Sequence, residues 1–293
     1  MTIDLTCGAV HGAADTRGGE LISFRDGEGT EYIWGGDPAY WSGRNPILFP
    51  IVGALKNGTV RFQGRAYQMA QHGFARRREF ELAERGSDYV VFELREDDET
   101  LAQYPYPFRL RVRHQLTPEG FYTQYAIKNT GRDPMPFCIG GHTAYRCPIR
   151  PGERFEDYRL VFDRRETADT IPVLPGGLLS GSQRRSVLEN EDTIRLRHEI
   201  FDRADTLIFE RLRCHGVSLV HRDTGRGLRV DFADFPMVGF WTMPNKAAPY
   251  ICIEPWHGCA AMDDERGDVE DKPYCVVLAP GEEKTLRYTV TVR

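Results

Sequence analysis

The sequence predicts an all-β protein, an antiparallel sandwich of unusual size. Apolar and polar residues alternate with a period of two through several segments, and Gly, Pro and Asp turns separate these segments. Helical periodicity is weak, and only residues 98–106 suggest a turn of helix before prolines end it. No linker, composition shift or repeat divides the 293 residues, so we expect one domain over residues 1–293.

Two predicted hairpins are the clearest elements. Residues 108–116 alternate apolar side chains with arginines, residues 117–120 turn the chain, and residues 121–129 resume the alternation. Residues 216–232 repeat this pattern around the turn "DTGRG", and residues 285–292 predict a terminal strand. Further strands are expected at residues 20–26, 31–36, 59–69, 78–84 and 89–96.

Composition narrows the classes of function. The net charge of −5 argues against nonspecific nucleic-acid binding, which needs concentrated Lys and Arg. The longest apolar run, residues 46–55, is too short to span a bilayer, and residues 1–15 lack the pattern of a secretory signal. The seven cysteines are scattered without a CxxC pair, which predicts buried thiols in a reducing compartment. We therefore expect a cytoplasmic protein that binds neither membrane nor nucleic acid.

No motif indicates a cofactor. The eight histidines include no HExxH and no His-x-His pair, so no metal site is predicted. The acidic residues 262–268 lack the pattern of a calcium-binding loop. There is no P-loop and no GxGxxG opening a helix, so no nucleotide is predicted either.

Four stretches interrupt the strand alternation, and each places polar groups among Gly, Pro or aromatic residues. They are residues 40–55, 71–80, 136–148 and 249–260. The side chains that they offer as site candidates are Arg44, His72, Arg76, His142 and Glu254. Glu254 stands among Ile251, Cys252 and Ile253, where an unpaired carboxylate is costly.

Each candidate also has a purely structural interpretation. Glu254 could belong to a buried ion pair or cap a loop, and His72 and His142 could be packed core imidazoles. Arg44 could lie on Trp41 as a surface cation. In the run that follows His72, Arg77 and Arg78 are expected to be solvated, whereas Arg76 has apolar neighbours.

Taken together and in this order, the irregular stretches resemble the aldose 1-epimerase (galactose mutarotase) superfamily. The likeness is closest to its bacterial branch near the hexose-6-phosphate mutarotases. The blocks that carry it, after "GGELISF", are "WSGRNPILFPIVGALKNGTVRFQGRAYQMAQHGFARRREFE", "PFCIGGHTAYRCP", "FEDYRLVFD" and "ICIEPWHG". The resemblance covers essentially the whole chain, and it implies a β-supersandwich of two large antiparallel sheets with a cleft on one side.

The resemblance also implies roles for individual residues. Glu254 matches the general base of the family and His142 its general acid, while His72 and Arg44 match residues that hold the sugar. Asp205 matches a substrate-binding aspartate, with Asp202 as the alternative, and Trp241 matches an aromatic wall.

The implied reaction interconverts the α and β anomers of a hexose or hexose 6-phosphate without a cofactor. It removes the proton of the C1 hydroxyl, protonates the ring oxygen, opens the ring and closes it again, which one carboxylate and one imidazolium can catalyse. Desolvation would make Glu254 more basic, and a carboxylate such as Asp205 would help to keep His142 protonated. Arginines near "QHGFARRR" favour an anionic sugar, with Arg76 as the best candidate; Arg146 is a second anion contact or merely exposed.

Two other functions stay open. The cleft could bind or sense a sugar without turning it over. A glycosidase or lyase on a similar sandwich is also conceivable, although glycosidases normally use two opposed carboxylates. For the epimerase and for the sugar-binding protein alike, the expected partner is a small sugar or sugar phosphate. We expect the protein to be a monomer or a homodimer.

Overall fold

The computed structural model describes residues 1–293 and consists mainly of antiparallel strands. In chain order the strands are β1 (Thr2–Cys7), β2 (Val10–Asp15), β3 (Glu20–Arg25), β4 (Ile47–Leu48), β5 (Thr59–Phe62), β6 (Arg65–Gln68), β7 (Glu81–Arg85), β8 (Tyr89–Arg95), β9 (Phe108–Thr117), β10 (Gly120–Asn129), β11 (Met135–Phe137), β12 (Ile139–Gly141), β13 (Thr143–Arg146), β14 (Tyr158–Thr170), β15 (Val173–Leu174), β16 (Leu178–Leu179), β17 (Arg185–Arg195), β18 (Thr206–Glu210), β19 (Gly216–His221), β20 (Gly227–Asp231), β21 (Met237–Trp241), β22 (Tyr250–His257), β23 (Val276–Leu278) and β24 (Glu283–Val292). The α-helices are α1 (Asp98–Leu101) and α2 (His198–Ala204). Neither α1 nor α2 has the length or the apolar composition of a membrane-spanning helix.

Two large sheets form the architecture. One has nine strands in the order β17-β14-β19-β20-β24-β10-β9-β8-β7. The other has the order β18-β21-β22-β12-β4, with β13 also paired to β22. Smaller sheets are β1-β2-β3, β5-β6, β11-β23 and β15-β16. All strand pairs within these sheets are antiparallel, as the alternation in the sequence predicts.

Both predicted hairpins are confirmed. In β9 and β10, Phe108 pairs with Asn129 and Thr117 pairs with Gly120, so the turn lies at residues 117–120. The burial of β9 alternates strictly along its ten residues, which puts its arginines on the wet face. The turn "DTGRG" connects β19 to β20 in the second hairpin.

The core lies between the two large sheets. Its main cluster contains 62 buried residues and extends from Ile3 to Val290. The rings of Phe162 on β14 and Phe240 on β21 meet edge to face at 5.9 Å. On the same interface the hydroxyls of Tyr288 on β24 and Thr143 on β13 are 3.0 Å apart. The six-stranded sheet is thus covered on this face by the nine-stranded sheet, while its other face is available for a site.

Residues 59–69, expected as one strand, form the hairpin of β5 and β6, and three further expectations from the sequence are also wrong. Residues 31–36 do not form a strand and contribute only isolated bridges at Glu31 and Ile33. Residues 249–260 are not irregular, because they contain β22, a central strand buried over seven of its eight residues. A strand buried on both faces shows no polar alternation, which is why the sequence pattern concealed it. Arg78 is not simply solvated, since it is half-buried and paired with Asp97 and Glu99.

Candidate active site

A cavity of about 280 Å³ opens on the free face of the six-stranded sheet. Strands β21 and β22 form its floor, and the segments around residues 41, 53, 71–76, 173–179 and 205 form its walls. Six of the seven site residues predicted from the sequence line it, namely His72, Arg76, His142, Asp205, Trp241 and Glu254. The fold therefore brings together residues that are up to 182 positions apart, from His72 to Glu254.

Glu254 lies in the middle of β22, opposite Gly239 of β21. It is 1% exposed, as its apolar neighbours predict. Burial raises the pKa of its carboxyl well above the ordinary value of 4.5; the indole N–H of Trp256 opposes this shift, and the charge of Asp205 adds to it. The result is a carboxyl group with high proton affinity at the floor of the cavity.

His142 joins β12 to β13 and follows two glycines. A Cβ on Gly140 would lie 2.5 Å from the indole of Trp256, so only glycine lets this strand approach β22 so closely. The imidazole is buried and stacks on Trp41, with ring centroids 5.0 Å apart. Its edge also meets His72 and Trp241, each at 5.5 Å between centroids. The ring orientation is fixed from three sides.

The Nε2 of His142 lies 3.3 Å from the Oε2 of Glu254. Burial lowers the pKa of His142 to about 3, and the charge of Arg76 contributes to the decrease. The expectation that Asp205 keeps this imidazole protonated is therefore wrong, because desolvation of a fully enclosed ring outweighs a carboxylate at the cavity mouth. Before a sugar enters, both members of the pair favour their neutral forms, with a proton on the carboxyl group.

Two hydrogen bonds with the backbone of Gly53 hold His72, one to its main chain and one to its ring. Its backbone N–H donates to the carbonyl of Gly53 at 2.9 Å, and the N–H of Gly53 donates to its Nδ1 at 3.0 Å. The neutral ring therefore carries its proton on Nε2. His72 adopts φ 66°, a conformation that is costly for a non-glycine residue and often occurs at functional sites. Burial lowers its pKa well below 6.5, so it faces the cavity as a neutral donor.

Arg76 lies in a short 3₁₀ turn, Ala75–Arg77, which Phe74 separates from Gly73. Its Nη2 donates to the carbonyl of Gln71 at 3.0 Å, while its buried Nε has no partner. Arg77 next to it is exposed, as expected. The cavity thus contains one guanidinium with unused hydrogen-bonding capacity.

Asp205, and not Asp202, lines the cavity. Asp202 accepts a hydrogen bond from the N–H of Asn245 at 2.7 Å. Asp205 ends helix α2 with φ 61° and ψ −77°, and its Oδ1 accepts from the hydroxyl of Thr206 at 2.8 Å. It is exposed at the mouth of the cavity, where a strained backbone directs it.

Three tryptophans enclose the site, and the sequence identified only one of them. Trp241 meets Trp41 edge to face at 5.3 Å between centroids. Trp256 lines the opposite side and is wedged between Gly140 and Gly239, where a Cβ would lie 2.5 Å and 2.7 Å from its ring. Trp41 lies in the same irregular stretch as Arg44, and Trp256 lies in the same stretch as Glu254. Their positions close to polar candidates could have indicated from the sequence that they belong to the site.

Several buried polar atoms in the cavity have no hydrogen-bond partner. They are the Nε of Arg76, the Nδ1 of His142, the Oε2 of Glu254 and the Nε1 of Trp256. The last two lie close to possible partners, Oε2 to His142 Nε2 at 3.3 Å and the indole N–H to the Glu254 carboxyl, but neither contact has the geometry of a hydrogen bond. Buried polar groups are nearly always satisfied, so such a cluster indicates a polar ligand with several hydroxyl groups or bound water.

Arg44 does not line the cavity. Its Nε donates to the carbonyl of Gly35 at 2.9 Å. Its charge, like that of Arg76, opposes the effect of burial on Glu20, whose pKa is raised to about 7. Arg146 also points away, with its Nε donating to the carbonyl of Ile33 at 3.3 Å.

One cluster in this region has the donor types of a metal site. His142, Cys252 and Glu254 are buried, and their donor atoms lie within 4.8 Å of one another. The sequence does not predict such a group, because His142 is more than 100 positions from Cys252 and Glu254 and no pair of ligands has a metal-binding spacing. Burial and the charge of Glu254 raise the pKa of the Cys252 thiol well above 9.0, so this ligand would have to lose a proton to bind an ion.

Comparison with known proteins agrees with this architecture. The sequence model of the family described as aldose 1-epimerase matches residues 3–291. The chromosomal protein LacX of Lactococcus lactis subsp. lactis is 37% identical over 299 residues, which cover 100% of this chain and 99% of that protein.

Solved structures with the same fold include galactose mutarotase-like proteins. A galactose mutarotase related enzyme from Lactobacillus acidophilus superimposes with a TM-score of 0.94 at 31% identity, covering 100% of this chain and 97% of the other. A galactose mutarotase-like protein from Lactobacillus casei superimposes with a TM-score of 0.93 at 26% identity, with full coverage of both chains. The fold predicted from the resemblance is confirmed, and the family and these neighbours support a mutarotase-type, isomerase function. The chain belongs to the aldose 1-epimerase family.

Proposed function

We propose that this protein is a cofactor-independent aldose 1-epimerase that interconverts the α and β anomers of a hexose or hexose 6-phosphate. Glu254 acts as the general base and His142 as the general acid. The observation that carries the proposal is the separation of 3.3 Å between His142 Nε2 and Glu254 Oε2 at the floor of a polar cavity.

This separation suits the reaction. The proton to be removed is on the C1 hydroxyl, and the proton to be added goes to the ring oxygen. Both oxygens are bonded to C1, so an acid and a base that are close neighbours reach both at once. After the ring opens, rotation about C1–C2 presents the other face of the aldehyde, and the same two groups close the ring.

The proton balance is also consistent. The reaction consumes no proton, so the pair needs one proton in total, carried by either member. Burial favours the neutral pair before the sugar enters, as the raised pKa of Glu254 and the lowered pKa of His142 indicate. Hydroxyl groups of a bound sugar replace some of the lost hydration and stabilise the charged forms of both residues. The proton then moves from the Glu254 carboxyl group to His142.

The remaining cavity groups fit a sugar ring. Trp41, Trp241 and Trp256 offer apolar faces to C–H groups, while His72, Asp205 and the guanidinium of Arg76 line the cavity beside them and can bind hydroxyl groups. Arg76 is the cavity's guanidinium and is the group that would hold a phosphate. Arg44, which the resemblance assigns to sugar binding, stays a prediction.

Two lesser proposals accompany the function. All seven cysteines are unpaired thiols, which supports a reducing, cytoplasmic location. A single domain acting as a monomer or homodimer remains our expectation, and size-exclusion chromatography with light scattering tests the oligomeric state.

The experiment is NMR exchange or polarimetry with freshly dissolved α-anomers of aldohexoses and their 6-phosphates. We expect accelerated mutarotation by the protein and a loss of about 100-fold or more in Glu254→Gln and in His142→Gln. Glu119→Gln, at the exposed turn between β9 and β10, is the matched control and should keep full activity.

Calorimetry on the same variants separates catalysis from binding. Sugar binding by the wild type without acceleration of any aldose would contradict the proposal and establish a binding or sensing protein. Release of reducing ends from oligosaccharides would contradict it in favour of a glycosidase.

A further inference from the structure

Two cysteines outside the cavity face each other across a strand pair. In the β11–β23 ladder Phe137 pairs with Val276, so the next position places Cys138 opposite Cys275. The N–H of Cys138 donates to Pro50 at 2.8 Å and that of Cys275 to Lys272 at 3.1 Å, so the two residues exchange no backbone hydrogen bonds. Directly opposed residues of an antiparallel pair have Cα atoms about 4.5–5.5 Å apart, a span that a disulfide can bridge.

The side chains are also close. The Sγ of Cys275 lies 3.6 Å from the carbonyl oxygen of Phe137, in the peptide group that leads into Cys138. The two thiols perturb each other's pKa, lowering that of Cys138 and raising that of Cys275, as neighbouring thiols do. Little backbone movement would therefore be needed to join them.

The two thiols differ in access and in charge environment. Cys138 is fully buried, whereas Cys275 is partly exposed. The neighbouring Cys275 thiol lowers the pKa of Cys138, and the ammonium group of the buried Lys272 adds to the decrease, whereas the pKa of Cys275 is raised by Cys138 and by burial. Cys275 can meet a reagent from solvent, and Cys138 is the thiol that favours the thiolate.

We propose that Cys138 and Cys275 are a redox-reactive pair, which a low-molecular-weight disulfide such as oxidised glutathione converts into an intramolecular disulfide. The sulfur of Cys275 first attacks the external disulfide, forming a mixed disulfide and releasing one thiol. The Cys138 thiolate then attacks the Cys275 sulfur and releases the second thiol. Two cysteine thiols and one external disulfide give one protein disulfide and two external thiols, which carry the two protons.

The position of this bridge connects it to the cavity wall. Cys138 directly precedes β12, whose Gly140 packs on Trp256. Cys275 follows Tyr274, whose carbonyl lies 2.9 Å from Nδ1 of His257 at the end of β22. The bridge would fasten the segment that follows β22 to the strand that leads to His142, so oxidation stabilises the wall of the site.

The test treats the folded protein with oxidised glutathione and counts free thiols after denaturation. We expect the count to fall from seven to five, and non-reducing peptide mapping to identify the Cys138–Cys275 link. The thermal midpoint should rise by on the order of 5–10 °C and return after reduction. No part of this readout depends on epimerase activity, so its failure is distinct from failure of the proposed function.

Controls isolate the pair. The Cys275→Ser variant has six thiols, and all six should remain free after treatment. The Cys7→Ser variant lacks the other partly exposed cysteine, and two of its six thiols should still be lost. Seven thiols remaining in the treated wild type would overturn the proposal. So would a bridge between Cys138 and the buried Cys259, or a glutathione adduct on Cys275 that does not resolve.

Discussion

Gly239 lies directly against the indole of Trp256, so that a Cβ at residue 239 would lie 2.7 Å from the ring. Gly239 is also the cross-strand partner of Glu254. On the far side Gly140 approaches the same indole, which leaves the ring no space to retreat. Two glycines thereby fix the position of an aromatic wall and of the carboxylate beside it.

The first prediction concerns this packing. Gly239→Ala should destabilise the protein by about 1–3 kcal/mol, because the added methyl group overpacks a rigid contact. Displacement of Trp256 and Glu254 should also reduce kcat by on the order of tenfold or more. Thermal unfolding and anomer exchange measure the two effects.

Gly35→Ala is the control for Gly239→Ala, since a Cβ there has no neighbour closer than 3.9 Å. Wild-type stability and rate in Gly239→Ala would show that the Trp256 contact does not position the site.

The second prediction is a pH profile of kcat/KM. Activity needs one proton on the Glu254–His142 pair, so it should fall as pH rises through the raised pKa of Glu254 and that proton leaves. On the acid side the pKa of His142, about 3, places the second protonation below the stable range of most proteins. The apparent pKa values belong to the pair rather than to either residue. An alkaline limb near 4.5, the ordinary carboxyl value, would contradict the role of burial.

The third prediction distinguishes neutral from phosphorylated substrates. Arg76→Met should raise KM for a hexose 6-phosphate by on the order of tenfold to 100-fold, while KM for the free hexose changes little. Arg77→Met, which removes the exposed neighbour, is the matched control. An equal increase for both sugars would show that Arg76 binds a hydroxyl group common to them.

The fourth prediction concerns His114, a buried histidine outside the site. Its Nε2–H donates to the carbonyl of Gly19 at 2.8 Å, and its Nδ1 accepts from the hydroxyl of Thr123 at 2.9 Å. Burial lowers its pKa from 6.5 to about 4. Between these values the unfolded chain binds more protons than the folded one, so stability falls as pH decreases.

The pKa shift of His114 alone lowers the free energy of unfolding by roughly 3 kcal/mol between pH 6.5 and pH 4. Urea unfolding across this range should show a smaller loss in His114→Gln than in the wild type. His11→Gln, at an exposed histidine, should retain the wild-type dependence. An unchanged slope in His114→Gln would contradict the prediction and assign the pH dependence to the other groups whose pKa folding lowers, including His72 and His142.

The sequence predicted local structure well where a strand has one wet face. The hairpin at residues 108–129, including its turn, could be predicted from the sequence. Its strands have one buried and one exposed face, and such strands alternate apolar and polar residues. The sequence pattern did not reveal β22, which is buried over seven of its eight residues although one of its faces lines the cavity. It also misled at residues 31–36, which have strand composition but too few partners.

The fold class, the family resemblance and the residue types of the acid–base pair follow from the sequence, since these depend on patterns along the chain. The tertiary structure alone decided that Glu254 and His142 are 3.3 Å apart, that Asp205 rather than Asp202 faces the cavity, and that Arg44 does not. It also supplied Trp41 and Trp256 and the opposed thiols of Cys138 and Cys275. The physical reason is that proton affinity and contact depend on burial and on neighbours from distant strands, which sequence spacing does not encode.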